Sequence, residues 1–462
     1  MHSTVQSFLS ALKGKRVAVI GIGVSNTPLI RMLLRAGISV TACDRNDRMQ
    51  FGDLAEELES LGASLQLGEE YLEGLNQDVI FRTPGMRPDH PALLKAAAGG
   101  SMITSEMEIF FDVCPCPIIA VTGSDGKTTT ATIIAKLLEK AGFTTYLGGN
   151  IGKPLLSQAS DMLPEDRVVL ELSSFQLMSM KCSPQIAVVT NLAPNHLDVH
   201  RSMEEYIAAK ENIFRYQKPD DILVINAKNE ITSSFASQAK GKVVFFCQEP
   251  DAVQDGVFLK DNVIFVREGK ETREVLHTAD ILLPGDHNIE NYMAAIGAVQ
   301  GLVPDSCIRE FAKAFRGVEH RIELVRRCNG VSYYNDSIGT SPTRTIAGLR
   351  AFPGKVILIA GGYDKHLPFD ELGAEIVAHV KTLVLNGATA AAIRAAVERA
   401  PGYTPGNPQI IKSRNFEAAV YAAIEAAEEG DVVLLSPACA AFDQFKNFAE
   451  RGTTFKKMIY EL

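Results

Sequence analysis

Apolar positions along the 462-residue chain follow two rhythms. Short runs of consecutive β-branched residues read as buried strands, and longer stretches with apolar residues three and four apart read as helices. Val5 to Leu12 has the helical spacing. Arg16 to Ile20 reads as a strand ending in Gly21-Ile22-Gly23, Asn26 to Ala36 as a helix closed by Gly37, and Ser39 to Cys43 as a strand ending at Asp44. A later strand, Asp78 to Arg82, runs into Thr83-Pro84-Gly85, and a helix from Ser105 to Phe111 leads to the prolines at 115 and 117. Ile118 to Val121 is again a buried strand. After the loop Thr122 to Gly126, Ile133, Ile134, Leu137 and Leu138 recur at helical spacing until Gly142. The pattern continues with strands at 167–170 and Ile186 to Thr190, a helix from Glu204 to Phe214, and a helix opened by the run from Leu283 to Asn291. Val331 to Tyr334, Lys355 to Ala360, Lys381 to Leu385 and Asp431 to Leu435 then alternate with helices, as in a parallel sheet.

This predicts an α/β chain. At roughly 150 residues per domain the length suggests about three domains. The expected division is a Rossmann-like domain over 1–112, a central ATPase-type domain with a phosphate-binding loop over 113–317, and a second Rossmann-like domain over 318–462.

Composition changes little. The net charge of −9, without a long basic run, argues against nucleic acid or an anionic membrane surface as partner. The eight cysteines lack zinc spacing, and Cys114-Pro115-Cys116 is too close and too isolated to serve, so free thiols are expected. With no apolar run of ~18 residues and no signal-peptide pattern, a cytoplasmic protein is expected.

The candidate chemistry centres on Thr122-Gly123-Ser124-Asp125-Gly126-Lys127-Thr128-Thr129-Thr130. Strand, glycine loop, lysine with hydroxyls, then helix is the arrangement of a phosphate-binding loop, in which backbone N–H groups and the helix dipole attract anionic oxygens. Lys127 is placed to reach outer phosphates and the Thr128 hydroxyl to ligate Mg²⁺. The spacing departs from GxxxxGK[ST], because Val121 stands where that pattern has its first glycine. Glu171, near the end of a buried strand, is either a Mg²⁺ ligand or an ion-paired core carboxylate. Asn195-His196-Leu197-Asp198-Val199-His200 suggests, modestly, one histidine on a phosphate-bound metal. Asn288 and Asn291, three apart on a helix, present two amides to a base or sugar. The turn at Gly21–Gly23 with Asp44 about twenty residues on approaches the dinucleotide fingerprint, although Asn26 replaces its third glycine. An NAD enzyme read from that turn would leave the phosphate loop unexplained. Lys210, in a helix, reads most simply as a solvated surface lysine.

TGSDGKTTT, GGNIG, ELSSFQL, NHLDVH, YIAAKENIF and GDHNIEN, in this order, resemble the Mur ligase family of peptidoglycan synthesis. Glu319-His320-Arg321, Tyr334-Asn335-Asp336-Ser337 and the run from Leu435 through Asp443 and Lys446 to Gly452 are similar to the members that add D-glutamate. The resemblance implies an ATP-dependent ligase that joins D-glutamate to UDP-N-acetylmuramoyl-L-alanine through an acyl phosphate. Its alternative is another Mur-type or a folylpolyglutamate-type ligase. It further implies that Gly123 to Thr129, Asn288, Asn291, Arg321 and Asp336 bind ATP. Thr128, Glu171, His196 and a carbamylated Lys210 (N6-carboxylysine) would hold two Mg²⁺ ions, with Lys127, His196 and Lys210 catalytic. Gly23, Val24, Ser25, Asp44 and Gly85 would take the uridine diphosphate part, Asn150 the muramoyl part, and Thr340, Lys365 and Phe448 the amino acid. A monomer is expected, closing about a hinge near Arg316–Gly317. Departures fall at Ile338, where relatives carry lysine, at Ala441 in place of serine, and at Asp125 and Asn195 in place of asparagine and aspartate. The carboxylate of Asp125 is expected to face away from the phosphates.

Overall fold

The computed structural model describes residues 4–193, 200–252, 255–365 and 367–462. Among them three sheets form. The first contains β1 (Arg16–Ile20), β2 (Ser39–Asp44), β3 (Ser64–Leu67), β4 (Val79–Phe81) and β5 (Met102–Thr104). Its order is β3-β2-β1-β4-β5, with parallel pairing. Val17 and Val19 point to one apolar cluster and Ala18 and Ile20 to another, so β1 is buried on both faces.

The second sheet contains β6 (Ile118–Thr122), β7 (Thr145–Gly149), β8 (Arg167–Glu171), β9 (Ile186–Val189), β10 (Ile222–Asn226), β11 (Lys242–Cys247), β12 (Gly256–Lys260), β13 (Val263–Glu268) and β14 (Glu271–His277). Its order is β14-β13-β12-β11-β10-β9-β6-β8-β7. Pairing is parallel except in the β12-β13-β14 meander at one edge. The third sheet contains β15 (Glu323–Cys328), β16 (Val331–Asn335), β17 (Val356–Ala360), β18 (Val380–Leu385), β19 (Gln409–Lys412) and β20 (Val432–Leu435), in the order β15-β16-β20-β17-β18-β19, with only the β15–β16 pair antiparallel among these strands.

The chain divides into two compact units. Met1–Thr278 with Glu290–Phe311 holds the first two sheets, and Ala279–Ile289 with Ala312–Leu462 holds the third. In the first unit one apolar cluster runs from Phe8, Leu33 and Phe81 through Phe110 to Leu170, Val189 and Ile213. The first two sheets therefore share a continuous core. In the second unit, clusters around Leu358 and Leu383 and around Ile357 and Phe455 cover the two faces of the sheet.

Two helices begin one residue after their expected bounds. Ser105 is not the first helical residue but the N-cap of Glu106–Val113, accepting from the Glu108 N–H. Asn26 likewise precedes Thr27–Arg35, and its amide donates instead to the Ile20 carbonyl at 2.9 Å.

Candidate active site in the first unit and a polar cluster in the second

β6 delivers Thr122 to the start of helix Lys127–Lys140. Gly126, the N-cap, is left-handed (φ 77°), and no side chain caps the helix. A helix start without a side-chain cap is where an anion can accept from backbone N–H groups. Two glycines are needed for close approach. A Cβ on Gly123 would overlap the Thr190 hydroxyl, and one on Gly126 would overlap the Asn291 amide oxygen. Thr190 Oγ1 donates to the Asp125 carbonyl at 2.6 Å, and Asn191 Oδ1 accepts from the Asp125 N–H at 2.9 Å, so the end of β9 braces the loop. Asp125 itself is exposed. Thr129 is half-buried in the first turn of the helix. Lys127 Nζ donates to the carbonyls of Gly123 and Ser124 at 2.9 and 2.8 Å.

Glu171, at the end of β8, is brought against two other expected site residues. Its Oε2 accepts from Thr128 Oγ1 at 2.6 Å and its Oε1 from Asn150 Nδ2 at 2.7 Å. Its backbone carbonyl accepts from the Asn150 N–H at 2.7 Å. A hydroxyl and a carboxylate with hard oxygen donors at the mouth of a phosphate loop suit Mg²⁺, which takes one or two protein carboxylates and keeps its remaining positions for phosphate and water. The residues present thus fit that ion. His196 lies outside the described residues.

Lys210 is not a solvated surface lysine. It is 1% exposed. Helix Met203–Arg215 turns Tyr206, Ala209, Lys210 and Ile213 inward together, and these positions are one helical stripe. Lys210 Nζ donates to Thr122 Oγ1 at 3.1 Å and to the Gly123 carbonyl at 2.9 Å, and sits 4.9 Å from the centroid of the Tyr206 ring. Burial, and next the nearby Lys127 charge, push its pKa well below the ordinary lysine value, against the opposing pull of Glu171. Tyr206 in turn bonds Ser124 Oγ at 3.0 Å.

Asn291 belongs to the first unit and accepts from Thr130 Oγ1 at 3.2 Å, which joins helix Asp286–Ala298 to the phosphate-loop helix. Asn288 belongs to the second unit and donates to the Pro284 carbonyl at 2.7 Å.

Gly23, Asp44 and Gly85 line one cavity of about 690 Å³ at the carboxyl ends of β1, β2 and β4. That volume lies within the range of small-molecule sites, roughly 300–1,000 Å³. Asp44 Oδ2 accepts from the Ile22 N–H at 2.8 Å and Oδ1 from the Asn46 N–H at 2.9 Å. Arg45, Tyr71, Arg87 and Arg201 share the cavity, and spacing in the sequence gave no reason to select them. Ser25 instead lines a second, small cavity of about 20 Å³, while Val24 is 80% exposed.

The sequence marks Arg82 only as the end of a strand. It is fully buried, and its guanidinium donates to the Met86 carbonyl at 2.9 Å, to the Phe175 carbonyl at 3.1 Å and to Ser179 Oγ at 2.6 Å. It thereby ties the Thr83–Gly85 loop of the first sheet to the turn that follows β8. Its adjacency to that loop was the available clue.

In the second unit, Asp336 follows β16. Burial pushes its pKa up to about 6, and Ser436 Oγ donates to Oδ2 at 2.6 Å. Arg321 lies close enough to pull that carboxyl pKa back down. Lys365 Nζ donates to the Thr340 carbonyl at 3.4 Å. The Phe448 carbonyl accepts from Ser337 Oγ at 2.7 Å, and its ring stands edge-on to His320 at 6.0 Å. Arg451, a further unpredicted residue, donates to the carbonyls of Ser337 and Cys439 at 2.9 and 3.1 Å and so fixes the Asp336–Ile338 turn against the loop bearing buried Ala441.

Known proteins share this architecture. The Mur ligase middle domain matches residues 121–299, and the Mur ligase glutamate ligase domain matches residues 320–439. The UDP-N-acetylmuramoylalanine–D-glutamate ligase of Acetivibrio thermocellus is 51% identical over 462 residues, covering 99% of both chains. The enzyme of the same name from Ruminiclostridium cellulolyticum is 49% identical, covering 100% of both. Among solved structures, the UDP-N-acetylmuramate-alanine ligase of Thermotoga maritima is similar in fold, with a TM-score of 0.57, 17% identity and coverage of 97% of this chain and 99% of that one. Two domain models and half-identity to full-length relatives converge, and the chain belongs to the Mur ligase family.

Proposed function

We propose that this chain is an ATP-dependent amide ligase that joins D-glutamate to the alanyl carboxylate of UDP-N-acetylmuramoyl-L-alanine in the cytoplasm, for peptidoglycan precursor synthesis. The observation that carries the chemistry is the array beneath the uncapped helix start: Thr128 and Asn150 on Glu171, with buried Lys210 beside the loop. Full-length identity of 51% to a D-glutamate-adding relative supports the choice of substrates.

We assign the nucleotide-sugar task to residues 1–112, ATP to 113–317 and the amino acid to 318–462. The roughly 690 Å³ cavity over Gly23, Asp44 and Gly85 suits a nucleoside diphosphate, with Arg45, Arg87 and Arg201 supplying local positive charge to an acidic chain. Gly126 and the following amides cradle phosphate, and Lys127 turns from the loop carbonyls to the γ-phosphate. A carboxylate and an ammonium ion only form a salt in water. The alanyl carboxylate therefore attacks the γ-phosphorus, giving an acyl phosphate and ADP. The amine of glutamate, after losing a proton, attacks the acyl carbon, and phosphate leaves as the amide forms. Holding and neutralising these anions is the main task of the protein. Thr128 and Glu171 would hold one Mg²⁺ and His196 a second, and the ions would supply charge neutralisation at the phosphates.

Lys210 has the property that carbamylation requires. Its depressed pKa favours the neutral form of the amine, the form nucleophilic toward CO₂, and the product carboxylate offers oxygen to a cation. Lys365, Thr340 and Phe448, in the second unit, are assigned to glutamate.

Phosphate release tests the reading. It is expected only when ATP, UDP-N-acetylmuramoyl-L-alanine and D-glutamate are present together. Release that needs no amino acid, or that occurs only with a different one, overturns the substrate assignment.

A further inference from the structure

Helix Glu106–Val113 is joined to β6 by Cys114-Pro115-Cys116-Pro117. The two sulfur atoms lie 3.6 Å apart, and Cys114 Sγ is also 3.5 Å from the Cys116 carbonyl. Cys114 is half-buried, whereas Cys116 is buried in the core. The contact is built into the backbone. Pro115 fixes its own φ near −65°, and Cys114 is held extended, at φ −66° and ψ 121°, where its N–H still donates to the Phe110 carbonyl. Every cysteine of the chain is a free thiol, and the ligase chemistry uses none of them.

We propose that Cys114 and Cys116 are a reversible oxidation site, closing to an internal disulfide by exchange with a low-molecular-weight disulfide such as oxidised glutathione. Cys114, the more exposed, attacks one sulfur of the small disulfide as its thiolate. A mixed disulfide forms on Cys114 and one external thiolate leaves and takes up a proton. Cys116 then attacks the Cys114 sulfur, the Cys114–Cys116 bond forms, and the second external thiol departs. Two protein thiols and one external disulfide become one internal disulfide and two external thiols, and two electrons pass outward. The 3.6 Å contact places Cys116 Sγ within reach of the Cys114 sulfur, which suits Cys116 to the resolving step. With one residue between the cysteines the ring is small and strained, and strained bridges are the easily reduced, regulatory kind. The connector leads directly into β6, whose far end is the phosphate loop, so closure would act on the strand that presents Lys127.

The test uses the folded, full-length chain in glutathione buffers of graded oxidised-to-reduced ratio, followed by alkylation and tryptic digestion. The peptide Ala96–Lys127 contains both cysteines and no other. The expected result is a fraction of this peptide that resists alkylation and is lighter by two hydrogens. That fraction rises with the ratio and disappears with dithiothreitol, and Cys116→Ser converts it to a glutathione adduct on Cys114. Double alkylation at every ratio, a persistent glutathione adduct in the unsubstituted chain, or a bridge to any other cysteine overturns the proposal.

Discussion

Lys210→Met separates a catalytic lysine from a structural one. The substitution removes two hydrogen bonds, to Thr122 Oγ1 and to the Gly123 carbonyl. Each is worth about 1 kcal/mol net. Neither acceptor is stranded, because Thr122 Oγ1 still donates to the Leu172 carbonyl at 2.8 Å and the Gly123 carbonyl still accepts from Lys127. Against that loss, a buried amine is replaced by a thioether of similar length, relieving about 1–3 kcal/mol of desolvation. The two nearly cancel, so the free energy of unfolding should change by no more than about 1 kcal/mol. Turnover should behave differently. Without an anionic group beside the metal-bound phosphates, phosphate release should fall by about 10²–10³-fold, the scale of losing one preorganised electrostatic contact. Formate or acetate should restore part of it. The pH dependence gives an independent reading, taken in CO₂-free buffer. The folded-state pKa of Lys210 lies below its value of 10.5 in the unfolded chain. Between the two, the unfolded chain binds more protons, so stability rises with pH up to about 10.5, and Lys210→Met should remove that rise. Near-normal turnover in Lys210→Met would refute the carbamate. A stability loss of several kcal/mol would show that the buried amine is a structural tie instead.

Three further outcomes are expected. Glu106 is buried and its pKa is raised from 4.5 to about 7, so its contribution to stability is full below pH 4.5 and is lost as pH rises through about 7. Glu106→Gln should flatten that fall and be more stable than the unsubstituted chain at pH 8, by up to ~3 kcal/mol, in urea titrations at both ends of the window. Gly126→Ala forces a Cβ into a left-handed residue facing the Asn291 amide. It should cost about 1–2 kcal/mol from the backbone alone and weaken ADP binding in calorimetry; unchanged affinity would remove the loop from the nucleotide site. Arg82→Met should cost about 3 kcal/mol or more, because it strands buried carbonyls, and should raise the KM for the nucleotide-sugar more than it lowers kcat.

The strands that carry the chemistry were legible because parallel strands buried on both faces are continuous apolar runs, as in Ile118–Thr122 and Val356–Ala360. β14 is not legible as a strand, since five of its seven residues are exposed and polar. The β12–β13 hairpin carries its turn signal in the sequence. Asp261 and Asn262 both take positive φ, 50° and 62°, as a two-residue hairpin turn requires. In the site, the phosphate loop and Glu171 followed from residue type and position. Lys210 did not, because a charged residue ordinarily faces water. Its place on the stripe with Tyr206 and Ile213 was the contrary clue. Arg82 and Arg451 act on backbone carbonyls distant in sequence, which no local pattern reveals.

The most direct measurement is the product itself. Purified protein is incubated with ATP, Mg²⁺, UDP-N-acetylmuramoyl-L-alanine and a panel of D- and L-amino acids, and the nucleotide-sugar fraction is weighed by mass spectrometry. A product heavier by one glutamyl residue, formed with D-glutamate and not with L-glutamate, with one phosphate released per product, is the predicted result. An unchanged nucleotide-sugar, or extension only by another amino acid, would contradict the account.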